Sequence, residues 1–344
     1  MTSNVPGLIR SIAHRLADDE PDLPVEGHLP QFHGATGWLN SEPLTPAGLR
    51  GRVVAVDFWT YTCINWLRSL PYVRAWNAKY RPHGLTVIGV HTPEFGFERD
   101  VHNITARARA FGVDYPIAID SQYGVWEAFA NHFWPALYIA DADGRIRYHH
   151  FGEGEYAMSE MVIQQLLVEA GAVDLDRDLV SVDPQGFEIP ADWRTLRSPE
   201  TYLSYGRSAG FVSAERVRLG EPQTYPAPTS LGLNEWSLTG TWTIAAHAAV
   251  VNEPGGRIAF EFQARDVNLV MGPTARGSAV PFRVLLDGKA PTTAGGLDVD
   301  DEGNGTLADQ RLHQLIRQTG SIEERLFEIE FPEAGAEAYC FTFG

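Results

Sequence analysis

The sequence predicts an α/β domain followed by an all-β sandwich, and three observations predict it. Before about residue 175, short apolar runs alternate with helical patterns, the arrangement of strands and crossover helices around a central sheet. From about residue 198 the pattern changes to strict alternation between Gly, Pro and Asp-Gly turns, which reads as many short strands. The length of 344 residues is too great for one ordinary domain and comfortable for two.

Taken in order, residues 1–25 carry Leu8, Ile9, Ile12 and Leu16 at helical spacing, interrupted by His14, Arg15 and Asp18. This is an amphipathic helical arm without the apolar core of a signal peptide. Residues 26–173 form the α/β domain. VVAVDFW is its first buried strand, followed by a helix through Tyr80 with Leu67, Leu70 and Val73 turned inward. Pro71 lies inside that helix and is expected to kink it, because proline loses a hydrogen bond and clashes with the preceding turn. LTVIGVH and PIAID are further strands; ALYIA, the turn DADG and RIRYHHF form a hairpin, and SEMVIQQLLVEAG closes as a helix. The expected sheet is mostly parallel with one antiparallel hairpin. Residues 174–197, rich in Asp, Pro and Arg, read as a linker. Residues 198–344 form the sandwich, with alternation through Ile258, Phe260 and Phe262, through Val280, Phe282, Val284 and Leu286, through Phe327, Ile329 and Phe331, and through Tyr339, Phe341 and Phe343.

Composition excludes several classes. A hydrophobic fraction of 44 % and a charged fraction of 21 % describe a globular chain with ample core. A formal net charge of -17 repels nucleic acid and anionic membranes. Cys63 and Cys340 are the two cysteines, too few for a disulfide framework or a cysteine-based metal site. No apolar run is long enough to span a bilayer, so the expected compartment is the cytoplasm. No metal or cofactor is expected. His149 and His150 alternate across a strand and do not form one metal site. DVDDEGNGTLAD, residues 298–309, echoes a calcium loop but lacks a preceding helix and the usual ligand types, and reads as an acidic β-loop. Trp236 and Trp242 offer either a sugar-stacking platform or sandwich core.

The chemistry centres on Cys63, where a buried strand feeds into a helix. Helix N-terminal N–H groups and the helix dipole favour a thiolate, the nucleophilic form. Against this, Trp59, Tyr61, Trp66 and Trp134 are placed to wall the site from water, which raises a thiol pKa. His91 and Glu94, in GVHTPEF, fall at the end of a central strand, where ligands of open α/β sheets collect. His91 is either a proton-transfer partner of Cys63 or a hydrogen-bonded turn residue.

Asp57-Phe58-Trp59 ahead of the cysteine, Pro71 eight residues after it, and Phe133-Trp134-Pro135-Ala136 leading into a strand resemble the thioredoxin superfamily. LPQFHGATGWLNSEPLTPAGLRGRVVAVDFW is similar to the redoxin and TlpA branch. FWTYTCINW, GVHTPEF, FWPALYIAD and FGEG, with SPETYLSYGR and the closing FTFG, resemble the C-terminal region of DipZ-type proteins. The resemblance implies a thioredoxin-like domain followed by a jelly-roll sandwich likened to a carbohydrate-binding module. It implies a catalytic set of Cys63, Asp57, Trp66 (the resolving position) and Pro135 as the cis-proline, with the Trp134 backbone pairing with a bound peptide; Trp59, Tyr61, His91 and Glu94, from the aromatic wall and the strand end, complete the expected substrate surroundings.

The family motif Cys-x-x-Cys is here Cys63-Ile64-Asn65-Trp66, so the intramolecular release of a mixed disulfide is impossible at this position. Asp57, the proton acceptor for a resolving cysteine, has lost its client. Two readings stand. In one, Cys63 performs monothiol chemistry on thiol, disulfide or peroxide substrates, and an external reductant such as a low-molecular-weight thiol or thioredoxin completes the cycle. In the other, the fold is a non-catalytic binding or scaffold protein with Cys63 as a small buried residue, with or without carbohydrate binding by the sandwich.

Overall fold

The structure, a computed structural model, describes residues 23–344. The expected N-terminal arm lies, through residue 22, outside them. The α/β part contains β1 (Gly27–His28), β2 (Gly37–Leu39), β3 (Val53–Trp59), α1 (Ile64–Tyr80), β4 (Leu85–His91), α2 (Val101–Ala110), β5 (Ile117–Ile119), α3 (Gly124–Ala128), β6 (Ala136–Ala140), β7 (Arg145–Phe151) and α4 (Tyr156–Glu169). Its seven strands run in the order β1-β7-β6-β3-β4-β5-β2. Every residue of β3 is buried, Asp57 included, as its mostly apolar run requires for a strand covered on both faces.

The sheet is mixed rather than mostly parallel. β6 is antiparallel to both β3 and β7, β7 to β1, and β2 to β5. Period-two patterning reveals a strand but not its direction, and the short β1 and β2 join the two edges from the N-terminal side. α1 continues through Pro71 without interruption.

The β-domain contains β8 (Thr201–Tyr202), β9 (Pro222–Tyr225), β10 (Trp236–Ile244), β11 (Ala249–Val251), β12 (Gly256–Phe262), β13 (Asp266–Pro273), β14 (Val280–Leu286), β15 (Asn304–Leu307), β16 (Arg311–Arg317), β17 (Arg325–Phe331) and β18 (Ala336–Phe343). The long β10 belongs to two sheets. Its first half pairs with β12, continuing to β17, β14 and β15; its second half pairs with β9 and β11, continuing to β18, β13 and β16. Gly240 marks the change at φ 90°, and a Cβ there would lie 3.2 Å from the Gly256 Cα. Glycine alone takes that conformation without strain. An apolar cluster fills the interior, with residues such as Phe260, Phe262, Phe327, Phe341, Trp236 and Trp242.

The compact units of the chain cut across its linear divisions. One takes the chain through Phe58, Ala75–Val90 and Tyr115–Val180. The other takes Trp59–Arg74, His91–Asp114 and Ser181–Gly344. The segment bearing Cys63 and the segment after β4 therefore share a unit with the β-domain. The expected linker carries one 3-10 turn, Gly186–Glu188. Within the second unit it is tied down by a 2.5 Å Arg74–Glu188 ion pair and by Arg317 donating to the Gly186 carbonyl at 3.1 Å.

Candidate active site

Cys63 sits immediately before α1. Its N–H donates to the Thr60 carbonyl at 3.2 Å, and its own carbonyl accepts from the Leu67 N–H at 3.1 Å, starting the helix. Burial pushes the Cys63 thiol up, and the Glu94 and Glu200 carboxylates push it further. The Trp66 and Asn65 backbone N–H groups at the helix start act the other way and lose. A helix N-terminus contributes only about 0.3–1 kcal/mol, which is small beside desolvation of an anion. Cys63 keeps partial exposure as a residue, while desolvation dominates at its thiol.

The expected aromatic wall is built from core side chains. Trp66 and Trp59 are wholly buried and stack at 4.3 Å, with Phe111 at the edge of Trp66 at 6.0 Å. Trp66 therefore occupies the resolving position as a core residue. Tyr61 stacks on His91 at 5.7 Å, and Trp59 meets the same imidazole edge-on at 4.8 Å. His91 is wholly buried, and neither ring nitrogen makes a hydrogen bond. Burial lowers its pKa to about 3, so the ring stays neutral at physiological pH. This argues against His91 as an acid toward Cys63, and equally against the hydrogen-bonded turn reading. The turn itself is held by the Thr92 N–H donating to the Trp59 carbonyl at 3.0 Å.

Glu98 organises the loop around the cysteine. Fully buried, its carboxylate accepts from the Thr62 Oγ1 at 2.7 Å, the Glu94 N–H at 2.7 Å, the Phe95 N–H at 2.9 Å and the Thr62 N–H at 3.3 Å. One carboxyl thus bridges the residue before Cys63 to the residue that carries the next acid. Burial raises Glu98 to about 7 against the pull of those hydrogen bonds.

Glu94 in turn accepts from the Tyr202 hydroxyl and, at 2.9 Å, from Arg207. The Arg207 guanidinium lies 3.5 Å over the Tyr202 ring, a cation–π contact. The Tyr202 hydroxyl is also 3.1 Å from Glu200, and its single proton serves one carboxylate at a time. Desolvation and the neighbouring Glu94 raise Glu200 to about 7. The Tyr202 hydroxyl and Arg207 pull the other way by favouring the carboxylate, and do not outweigh the rise. Phe95 and Phe97 pack on Tyr339 at 5.3 and 5.0 Å in the same unit.

The structure brings Cys63, Trp59, Tyr61, Trp66, His91 and Glu94 into one unit. Asp57, Trp134 and Pro135 belong to the other. There Asp57 is buried on β3 opposite Leu137, the Trp134 ring lies 4.3 Å from Trp126, and the Trp134–Pro135 peptide is cis. The residues missed by sequence reasoning are Glu98, Glu200, Tyr202 and Arg207. SPETYLSYGR had drawn attention as a motif, but only its placement against Glu94 gives it a role.

Other candidates resolve as structure. Cys340 is buried on β18 opposite Val270 and Tyr202, and both cysteines are thiols. Trp236 and Trp242 are wholly buried and donate to the Ala209 and Thr239 carbonyls, each at 2.8 Å, so they offer no sugar platform. In the acidic loop, Asp298 binds Arg311 at 2.6 Å, and Asp300 accepts from the Glu302 and Asn304 N–H groups at 3.0 and 2.8 Å. These carboxylates hold their own loop. Among the described residues, no group of three or more His, Cys, Asp or Glu side chains is placed to hold a metal ion, and no helix is long and apolar enough to cross a membrane.

The fold and the site define a thioredoxin-like protein whose second cysteine is a core tryptophan. Residues 198–344 match the family described as "Thioredoxin like C-terminal domain". The whole chain is similar to the protein DipZ of Mycobacterium tuberculosis, 33 % identical over 348 residues that cover 99 % of this chain and 47 % of DipZ. The chain spans about half the length of that relative. The α/β part is similar to the thiol-disulfide oxidoreductase YkuV of Bacillus subtilis, 28 % identical over 141 residues that cover 41 % of this chain and 95 % of YkuV. A solution structure of a thioredoxin-like protein in the oxidised form is 28 % identical, covers 43 % of this chain and 99 % of its own, and gives a TM-score of 0.39.

Proposed function

We propose that this protein is a monothiol redox protein acting on thiol and disulfide substrates through Cys63. The observation that carries the reading is the position of Cys63, partly exposed at the first turn of α1, while Cys340 is buried in a strand. The similarity to a protein named as a thiol-disulfide oxidoreductase supports it. In the proposed cycle the Cys63 thiolate attacks a disulfide RS–SR′, forming Cys63–S–SR and releasing R′S⁻. An external thiolate R″S⁻ then attacks the R sulfur, giving RS–SR″ and restoring the Cys63 thiolate. Electrons and protons balance without a second cysteine. The raised thiol makes the first step slow at neutral pH and faster as pH rises.

The test is turnover of a small disulfide with glutathione, together with mass spectrometry of the Cys63 peptide. The expected result is a glutathione adduct on Cys63 and activity that Cys63→Ser abolishes and Cys340→Ala retains. Absence of both adduct and turnover across the alkaline range sinks the reading. The second reading, a non-catalytic binding protein on this fold, is favoured by the desolvated thiol and by Trp66 in the core; it takes over on that outcome.

A further inference from the structure

A cavity of about 80 Å³ opens within the second unit, beside the first turn of α1. Tyr61 and Leu67 line it from the Cys63 segment, Arg107 and Phe111 from α2 and the residue after it, Phe187 from the 3-10 turn, and Arg311 from β16. Four sequence-distant segments thus converge on one small space with two guanidinium groups and apolar walls.

The polar inventory is unbalanced toward donors. The Tyr61 hydroxyl is buried on a residue only 1 % exposed; it faces Asn103 but makes no hydrogen bond of good geometry. An unmade hydrogen bond on a buried hydroxyl is costly and points to a missing partner. Arg107 has one ion pair, at 3.1 Å, with Asp309, whose side chain is 69 % exposed. An exposed pair of that kind contributes little. Arg311 uses one nitrogen on Asp298 and another on the Leu312 carbonyl. A guanidinium has five N–H donors in a planar fork, so both arginines retain donors. Burial keeps the nearby His313 neutral, and the charges of Arg311 and Arg107 act in the same direction. Arg107 and Arg311 line the same cavity and can address one ligand there.

We propose that this cavity is a binding site for a carboxylate borne on a short apolar stem. The carboxylate takes the forked donors of Arg107 and Arg311 and accepts from the Tyr61 hydroxyl. The stem lies on Phe111, Phe187 and Leu67. The cavity is too small for a drug-sized molecule, and it admits either a free short-chain acid or the terminal carboxylate of a longer chain. The site does not depend on thiol chemistry at Cys63, so its test stands apart from that of the proposed reaction.

The experiment is calorimetric titration of the full chain with sodium propionate and with propionamide, and with a short peptide ending in Ala-Val as the free acid and as the amide. Propionate is expected to saturate with a Kd in the millimolar range, about what so few atoms allow, and propionamide to show no binding. Arg107→Met and Arg311→Met are each expected to weaken propionate roughly tenfold, the scale of one charge-assisted hydrogen bond. Tyr61→Phe, which removes one oxygen and leaves the packing intact, is expected to weaken it roughly threefold. Tighter binding of the free-acid peptide than of propionate assigns a chain terminus as the source; equal or weaker binding assigns a free acid. Failure of both acids to saturate, equal binding of acid and amide, or affinity unchanged in either arginine variant overturns the proposal.

Discussion

At the scale of single residues, the cysteine is held protonated by its surroundings. Burial outweighs the helix start, and Glu94 and Glu200 add repulsion. Cys63 alkylation is therefore expected to rise with pH with a midpoint well above about 8.5, the midpoint of an ordinary thiol; a midpoint at or below that value contradicts this balance. Glu200→Gln removes one repelling charge and is expected to speed Cys63 alkylation several-fold at fixed pH. Mass spectrometry of the Cys63 peptide reads that rate, and an unchanged rate removes Glu200 from the site.

Glu98 gives a second residue-level prediction. Its pKa rises from 4.5 to about 7 on folding. A carboxyl raised in the folded state contributes stability that is fully present below about 4.5 and lost as pH rises through about 7. The wild-type protein should lose up to about 3 kcal/mol from this group between those limits. In Glu98→Gln that part of the pH dependence should vanish from denaturant titrations, and the variant should be weaker at low pH, where two backbone donors lose an acceptor. An identical pH slope in the two proteins excludes the assignment.

At the scale of elements, α1 and β10 each contain one residue that the local pattern alone misreads. Trp66 occupies the place of a resolving cysteine yet is wholly buried against Trp59 and Phe111. Restoring the dithiol motif by Trp66→Cys is expected to cost about 3–5 kcal/mol through the cavity it leaves. The variant should lose near-UV CD signal and unfold at lower denaturant before any dithiol activity appears. Full stability with new reductase activity contradicts the core role. In β10, Gly240→Ala forces a side chain into the left-handed region where the strand changes sheets, and thermal melts should drop by several degrees for a cost of about 1–3 kcal/mol. The strands themselves were legible: VVAVDFW, LTVIGVH, ALYIA and RIRYHHF occupy the expected residues. The antiparallel hairpin of ALYIA and RIRYHHF was legible from its DADG turn, but the antiparallel pairing of VVAVDFW with ALYIA was not, because the side-chain pattern carries no information about a non-adjacent neighbour's polarity.

At the scale of the whole molecule, the second compact unit joins segments that the sequence assigns to different domains. Phe95 and Phe97 rest on Tyr339, Glu94 binds Tyr202 and Arg207, and Arg68 donates to the Phe343 carbonyl at 3.3 Å. A chain ending at residue 197 leaves Phe95 and Phe97 without Tyr339. It is expected to bind a hydrophobic dye and melt at lower temperature than the full chain. A truncated chain that melts as high as the full chain and binds no dye contradicts this dependence.

The sequence by itself determined the α/β-then-β order, the helix start at Cys63, the loss of the second cysteine and the apolar strand faces. Each of these is written in local periodicity or in the identity of a single residue. Tertiary structure alone decided that Trp66 is core, that His91 is a buried neutral ring, that Glu98 bridges Thr62 to Glu94, and that Tyr202 and Arg207 meet Glu94. Those outcomes depend on which surfaces exclude water and which charges approach across more than a hundred residues of chain. Desolvation and Coulomb energy are set by three-dimensional neighbours, to which spacing along the chain is blind.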